Sequence, residues 1–573
     1  MTVSTLTVVP ETHVSGTAPC AEPTTVPSWY ARSPDVRLQA IARAARDDYP
    51  DWLDHVRAAA ACTRPIRLAG DIYTVARTPD RAVVLEHVRT ADMPDGVIYK
   101  PCGNRSESVC PSCSARYKRD AYQIVRTMLV GGDGVPDTVA RHPGLFATFT
   151  APSFGTVHTR WVKNHTRTCR GRKRCDCRPE PCHARRDLSV CRHGKRLVCF
   201  ARHADTDAVL GSPLCPDCYD YAGQAVWNLE SPGELWRRTN ITINRHLART
   251  ARSRGIDPRR IKLVFGKAAE MQRRAAIHFH AVIRLDGFDP DDPDAILPPP
   301  DGLDADDLKA AVRHAVAVVG YRTDPHTANR DGWPIVWGEQ VDTKTITVTA
   351  NGEITAEQVA AYVAKYATKS TEVTGHVSGR LTAQTVDAFA DPDGTHTARL
   401  IDACWTLGRP RWPLHGPVCP RVCAHRSCAA IAEPPAWHPT LSGPLCPPGC
   451  AHRSCAEIAE ATRDPSAPWR RLRRYAHRFG FGGHFLTKSR RHRVTFALKR
   501  QQRTAWRRRT LNAARHPAPD QTSETTTTVV VNLLQMTGIG WHTTADAILA
   551  NTSAALAREH QQLARTDLAA LAA

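Results

Sequence analysis

The stretch Ala276-Ile277-His278-Phe279-His280-Ala281-Val282-Ile283-Arg284 reads as a β-strand. It is mostly apolar, Val282 and Ile283 favour the pleat, and the acidic, proline-rich run Asp286–Pro300 ends it. Alternation along a strand puts His278 and His280 on one face and Phe279 on the other. Two imidazoles on one face at this spacing can grip one metal ion. Just upstream, Ile261–Phe265 is a second strand candidate, ending near Glu270-Met271-Gln272. A hairpin turning around Arg273–Ala275 brings Glu270 back beside the histidines as a third ligand. Two histidines and a carboxylate leave coordination positions open, which suits a catalytic rather than a structural ion.

Further along, Glu357–Lys369 has helical composition, with Thr355 as its N-cap. Tyr362 and Tyr366 are four apart, so both hydroxyls emerge on one helical face, and Lys365 and Lys369 repeat the step beside them. A pair of packing tyrosines with solvated lysines is the plain account of that helix. The His-x-His strand changes it.

Together these residues resemble the HUH endonucleases, which nick single-stranded DNA: a His-hydrophobic-His strand followed by a Tyr-x-x-Lys helix. The run Tyr362–Tyr366 resembles the two-tyrosine subgroup of rolling-circle replication initiators, and Phe146-Ala147-Thr148-Phe149-Thr150 resembles that family's first motif. Longer strings narrow the resemblance: Cys102–Asn104, Thr150–Gly155, Leu214–Tyr221, Trp337-Gly338-Glu339-Gln340 and Gly483–Ser489 are similar to initiators of the RepSA type, from actinobacterial plasmids and integrative conjugative elements. The resemblance implies an α+β fold, an antiparallel sheet with flanking helices forming an HUH core. It implies Mg²⁺ or Mn²⁺ held by Glu270, His278 and His280, with Tyr362 and Tyr366 as nucleophiles and Lys365 and Lys369 assisting them. The activity implied is site-specific nicking and strand transfer at an origin through a 5′-phosphotyrosyl intermediate. A related HUH relaxase or transposase, and a non-catalytic zinc-dependent DNA-binding regulator, are the competing classes.

Composition agrees. Lys and Arg number 77 against 56 Asp and Glu, a net +21 that predicts an acidic polymer as partner. No apolar run approaches the roughly 20 residues of a spanning helix, and the N-terminus has no secretory signal, so a cytoplasmic protein with no membrane partner is expected. The expected partners are single-stranded origin DNA and, because no P-loop motif is present, a host helicase together with a DNA polymerase.

Twenty cysteines in such a compartment argue for structural Zn²⁺ over disulfides. Cys215-Pro216-Asp217-Cys218 is one zinc-knuckle half, with Cys191 and Cys199 as the closest candidates for the other; Cys110-x-x-Cys113 is a second, completed by Cys102 and Cys182. A third cluster is a duplication: Cys419–Glu433 returns as Cys446–Glu460. It is either a metal-stapled spacer or a repeat tolerated in a loop. After it, Trp469–Arg478 and Lys499–Arg509 are arginine-dense helices around Gly480–Phe496; Lys488, Arg490, Arg491, Arg507 and Arg508 are candidate DNA contacts.

The expected organisation is a disordered Thr/Pro-rich tail (1–29), an N-terminal helical region with a cysteine knuckle (30–144), the first core strand (145–155) and a zinc-binding insertion (156–228). The endonuclease core (229–410), the duplicated insertion (411–465) and a basic helical C-terminal DNA-binding region (466–573) follow.

Overall fold

The computed structural model describes residues 35–77, 82–162, 179–184, 190–347, 354–369, 371–376, 379–409, 469–515 and 527–572. The duplicated cluster and Cys169, Cys175 and Cys177 lie outside the described residues. The chain divides into two compact units, residues 1–103 with 520–573, and residues 104–519.

The larger unit is built on a six-stranded sheet. Its strands are β1 (Gly144–Phe149), β2 (Ile261–Met271), β3 (Ile277–Gly287), β4 (Val341–Thr347), β5 (Ile354–Thr355) and β6 (Leu486–Lys488), in the order β5-β4-β1-β3-β2-β6. The short β5–β4 pair is parallel and the other pairs are antiparallel. Helices cover both faces: α1 (Pro111–Val130), α2 (Tyr221–Glu230), α3 (Trp236–Ser253), α4 (Ala305–Val318), α5 (Ala356–Ala367) and α6 (His396–Leu407).

Alternation on the central strands sorts the two cores. Phe149, Ile277, Phe279 and Ile283 pack with Trp227, Trp236, Ile243, Leu308 and Leu400 from α2, α3, α4 and α6. Phe146, Val264, Ala268 and Val282 face the other way, against Val125 and Met128 of α1 and Val359 and Val363 of α5. With both faces covered, β3 is buried almost throughout. The strand runs further than the acidic segment implied. Asp286 lies inside it, fully buried, because Arg284 donates to its carboxylate from Nε and Nη2 at 2.7 Å and His142 Nδ1 lies 2.8 Å away.

In the smaller unit the expected helical region also carries three strands. Strands Ile66–Arg77, Ala82–Arg89 and Ile98–Lys100 join Thr527–Ile539 in one antiparallel sheet, and Ile66–Arg77 pairs along its whole length with that C-terminal strand. The partner of Ile66–Arg77 is distant in sequence, so no local signal announces the pairing. The unit's core holds Trp52, Val56, Tyr99 and Trp541. Asp95 accepts from the Trp52 indole at 2.7 Å and the Tyr99 hydroxyl at 2.9 Å, and pairs with Arg43. Residues 466–573 are therefore not one region: their tail belongs to this sheet. Among the described residues no helix is long and apolar enough to cross a membrane.

Candidate active site

Antiparallel register places Glu270 of β2 directly opposite His278 of β3, and Ala268 opposite His280. Glu270, His278 and His280 thus share the face that carries Phe146 and Val282. Glu270 Oε2 lies 3.0 Å from His278 Nε2 and 2.8 Å from His280 Nε2, and the two Nε2 atoms are 2.8 Å apart. Three ligand-type atoms of N, N, O character converge on one point, and this donor set fits a divalent cation with open positions. The far nitrogens are held too: Thr148 Oγ1 of β1 is 3.2 Å from His280 Nδ1, and Gln272 Nε2 is 3.0 Å from His278 Nδ1. Such outer contacts fix ring orientation.

Electrostatics follow from this crowding. Burial works to raise the Glu270 carboxyl, but hydrogen bonds and charge from His278 and His280 outweigh it and bring it down to about 2. Burial lowers the His280 imidazole, so near neutrality it is unprotonated and able to ligate.

Thr355 caps α5 as expected, in a capping box with Gln358, and the helix packs on α1 and β2. It delivers both tyrosines to the histidines. The Tyr362 and Tyr366 rings lie 4.8 Å and 5.2 Å from the His280 ring, and 4.4 Å from each other. Lys365 Nζ and Lys369 Nζ stand 5.6 Å and 4.9 Å from the Tyr366 ring. Burial pushes the Tyr362 phenol well up, and the hydrogen bond with Tyr366 and the charge of Glu270 push the same way. Tyr362 and Lys365 also line a groove of about 650 Å³ with Lys118, Arg119, Tyr122 and Gln358, between α1 and α5.

The hairpin tip is fixed by residues that no motif flagged. Ala275 adopts φ +59° and is buried. The fully buried Asn228 of α2 donates to Ala275 O at 2.9 Å and accepts from Ile277 N–H at 3.1 Å. Gln224, one turn earlier, donates to Arg274 O at 2.8 Å, and Arg274 donates to the carbonyls of Ala151 and Pro152. The string Trp337–Gln340 closes on the first motif: Gly338 N–H donates to Thr150 O, and Thr150 Oγ1 to Gln340 O at 2.6 Å.

The cysteine assignments change. Cys182 does not join Cys110 and Cys113; its neighbours are His158, Cys199 and His203. Cys199 accordingly leaves the group of Cys191, Cys215 and Cys218, where His193 stands instead. The cause is an antiparallel bridge between His183 and Cys199, which draws Cys182 and Cys199 to one place. In the smaller unit Cys102 N–H donates to Cys62 Sγ at 3.3 Å, a neighbour that sequence spacing did not suggest. Cys110 and Cys113 are buried at the start of α1.

The candidate DNA contacts also divide. Arg490 is exposed. Arg491 instead spends its guanidinium on the carbonyls of Gly287, Pro293 and Ala295, and Lys488 Nζ donates to His492 O, so both serve the fold. The side chains of Arg507 and Arg508 lie outside the described residues.

No solved structure matches this chain. The family described as "RepSA: Replication initiator protein, pSAM2" matches residues 48–555. A protein named "Replication initiator protein" from Streptomyces ambofaciens is 34% identical over 529 residues, covering 91% of this chain and 93% of that relative. A match over most of both lengths, spanning the hairpin, the two-tyrosine helix and both units, places the chain in the RepSA family of replication initiators.

Proposed function

We propose that this initiator starts rolling-circle replication by cutting one DNA strand at its origin, as an HUH-type nuclease and strand transferase. The observation that carries the proposal is the convergence of Glu270, His278 and His280 with two tyrosine rings about 5 Å from His280. A divalent cation held by those three residues would supply Lewis-acid polarisation of the scissile phosphate and stabilise charge on its nonbridging oxygens.

The chain's own residues do the rest. An unperturbed phenol has a pKa near 10 and is a weak nucleophile at neutral pH. Tyr362 is held even higher, partly by Glu270, so neutralising that carboxylate removes one cause of its inertness. Lys365 and Lys369 place positive charge beside Tyr366, where it neutralises charge developing on the leaving 3′ oxygen. In the reaction the phenol gives up its proton, the tyrosyl O–P bond forms, and the P–O3′ bond breaks. The 3′ oxygen takes a proton and leaves as a hydroxyl that a polymerase extends. One phosphate ester replaces another, so the bond is kept for religation. The groove beside Tyr362, with Lys118, Arg119 and Lys365 on its walls, suits a single strand's phosphates. Origin DNA, a host helicase and a host polymerase are the partners this reading requires; the element it replicates is a plasmid or an integrative conjugative element.

The test is incubation of the protein with single-stranded origin DNA and Mn²⁺ or Mg²⁺, followed by mapping the nick and the residue bonded to the 5′ end. A covalent adduct on Tyr362 or Tyr366 is expected. His278→Ala and His280→Ala should abolish it while DNA binding persists, and EDTA should copy them. Undiminished nicking by both histidine variants would remove the hairpin site from the mechanism, and a protein that binds the origin without any adduct would be a regulator.

A further inference from the structure

Eight side chains between β1 and α2 gather into two groups of four. His158, Cys182, Cys199 and His203 form one; Cys191, His193, Cys215 and Cys218 form the other, and within each the ligand atoms lie within 4.8 Å of one another. We propose that these are two structural zinc sites with interleaved ligands, a cross-brace in which pairs one and three of the sequence hold one ion and pairs two and four hold the other. The order along the chain is what defines it: His158 and Cys182, then Cys191 and His193, then Cys199 and His203, then Cys215 and Cys218.

Spacing fits zinc. Zn–S bonds of about 2.3 Å and Zn–N bonds of about 2.0 Å, arranged tetrahedrally, set ligand atoms about 3.3–3.8 Å apart. In the first site Cys182 Sγ is 3.8 Å from His158 Nδ1, and Cys199 Sγ is 3.5 Å from His203 Nε2. In the second, His193 Nδ1 is 3.7 Å from Cys215 Sγ and, just under that range, 3.1 Å from Cys218 Sγ. None of these cysteines is in a disulfide. Four protein ligands close each site, which is the structural rather than the catalytic pattern, and mixed thiolate and imidazole donors select zinc.

Two observations outside the ligand atoms support the first site. His203 turns Nδ1 to the Asp207 carboxylate at 2.7 Å, which puts the proton there and leaves Nε2 free to ligate, the usual outer partner of a zinc-bound histidine. Thr159 N–H points at Cys182 Sγ at 3.1 Å, as a donor to a thiolate does. In the second site Gly194, at φ +73°, lets the chain turn back after His193, with its N–H on Cys191 O. The segment also needs an ion to fold: apart from Leu210 and Cys215, hardly any apolar side chain between His158 and Cys218 is buried among the described residues. The module is anchored to the tip of the β2–β3 hairpin, where Arg273 donates to the carbonyls of Asp205 and Asp207.

The experiment is zinc analysis and cobalt substitution on the full chain and single variants. Cys182→Ser and Cys199→Ser should each lose one zinc relative to the parent, and remove the same two-thiolate component of the Co²⁺ spectrum. Cys191→Ser and Cys218→Ser should each lose one zinc and remove the other, three-thiolate component. Variants that keep the parent's zinc content overturn the sites, and a shared component lost in both Cys182→Ser and Cys191→Ser overturns the interleaving. Should these fail to fold, Asp207→Asn keeps all eight ligands. It should release zinc from one site about 10–100-fold more readily to a chelator, and unchanged retention would overturn the first site.

Discussion

Lys267 lies on β2, three residues before Glu270 and on the opposite face of the sheet, and is 2% exposed. Its Nζ donates to Pro232 O at 3.1 Å and stands 4.3 Å from the Phe279 ring and 4.5 Å from the Trp236 ring. Burial pulls its pKa well below the ordinary lysine value. In the unfolded chain the ammonium keeps its proton up to about pH 10.4. Between the lowered folded value and that limit the unfolded state binds more protons, so stability from this group rises with pH and is least on the acid side. Lys267→Met, similar in length and without charge, should therefore stabilise the protein at pH 7. Its advantage over the parent should shrink as denaturant melts are repeated from pH 7 towards pH 10. An advantage that stays flat across that range would mean that Lys267 titrates normally. Such a lysine is invisible in sequence: Lys267 looks like any strand lysine until Trp236 and Phe279 close over it.

At the scale of elements, α5 would decide, on the proposed mechanism, how the reaction is shared between two tyrosines. Four residues at a rise of 1.5 Å separate the two backbone positions by about 6 Å along the helix, yet the rings lie 4.4 Å apart, so on this mechanism either phenol would reach one phosphate by a small shift. Tyr362→Phe and Tyr366→Phe should each keep some single-round nicking, and the double variant none. Multi-round replication or termination should fail in both single variants, because no free nucleophile remains once the first is esterified. Full replication by Tyr366→Phe would reduce Tyr366 to a packing residue. These elements were the legible part of the chain. A period of two showed which face His278 and His280 share, hairpin symmetry returned Glu270 to them, and a four-residue step aligned the tyrosines behind the Thr355 cap. What could not be read was whatever depends on distant partners. Asn228 holds the turn at Ala275 from another helix, and Cys182 finds Cys199 across a bridge while Cys191 lies between them in sequence. Spacing alone favours sequential pairing, so interleaved ligands defeat it.

For the whole molecule, a net charge of +21 predicts DNA binding but not where it happens, since many basic groups are spent internally. Arg503 pairs with Asp120 of α1, Lys499 with Asp133, and Arg491 wraps the loop after β3. Dense arginine after the duplicated cluster therefore reports partly on internal pairing. Lys118 and Arg119 are different: both are exposed on α1, and both line the groove that contains Tyr362. Each phosphate neutralised on a single strand contributes about 0.7 to the slope of log affinity against log salt. Lys118→Ala with Arg119→Ala should thus lower the magnitude of that slope by about 1.4 and weaken binding of single-stranded DNA regardless of sequence. Arg491→Ala should leave the slope alone and instead lower the denaturation midpoint, because it removes donors from three carbonyls of the protein. Titrations of a fluorescent oligonucleotide at several salt concentrations distinguish the two. If Arg491→Ala changes the slope and the α1 pair does not, the strand runs along the C-terminal side of the sheet and the groove beside Tyr362 is not its path.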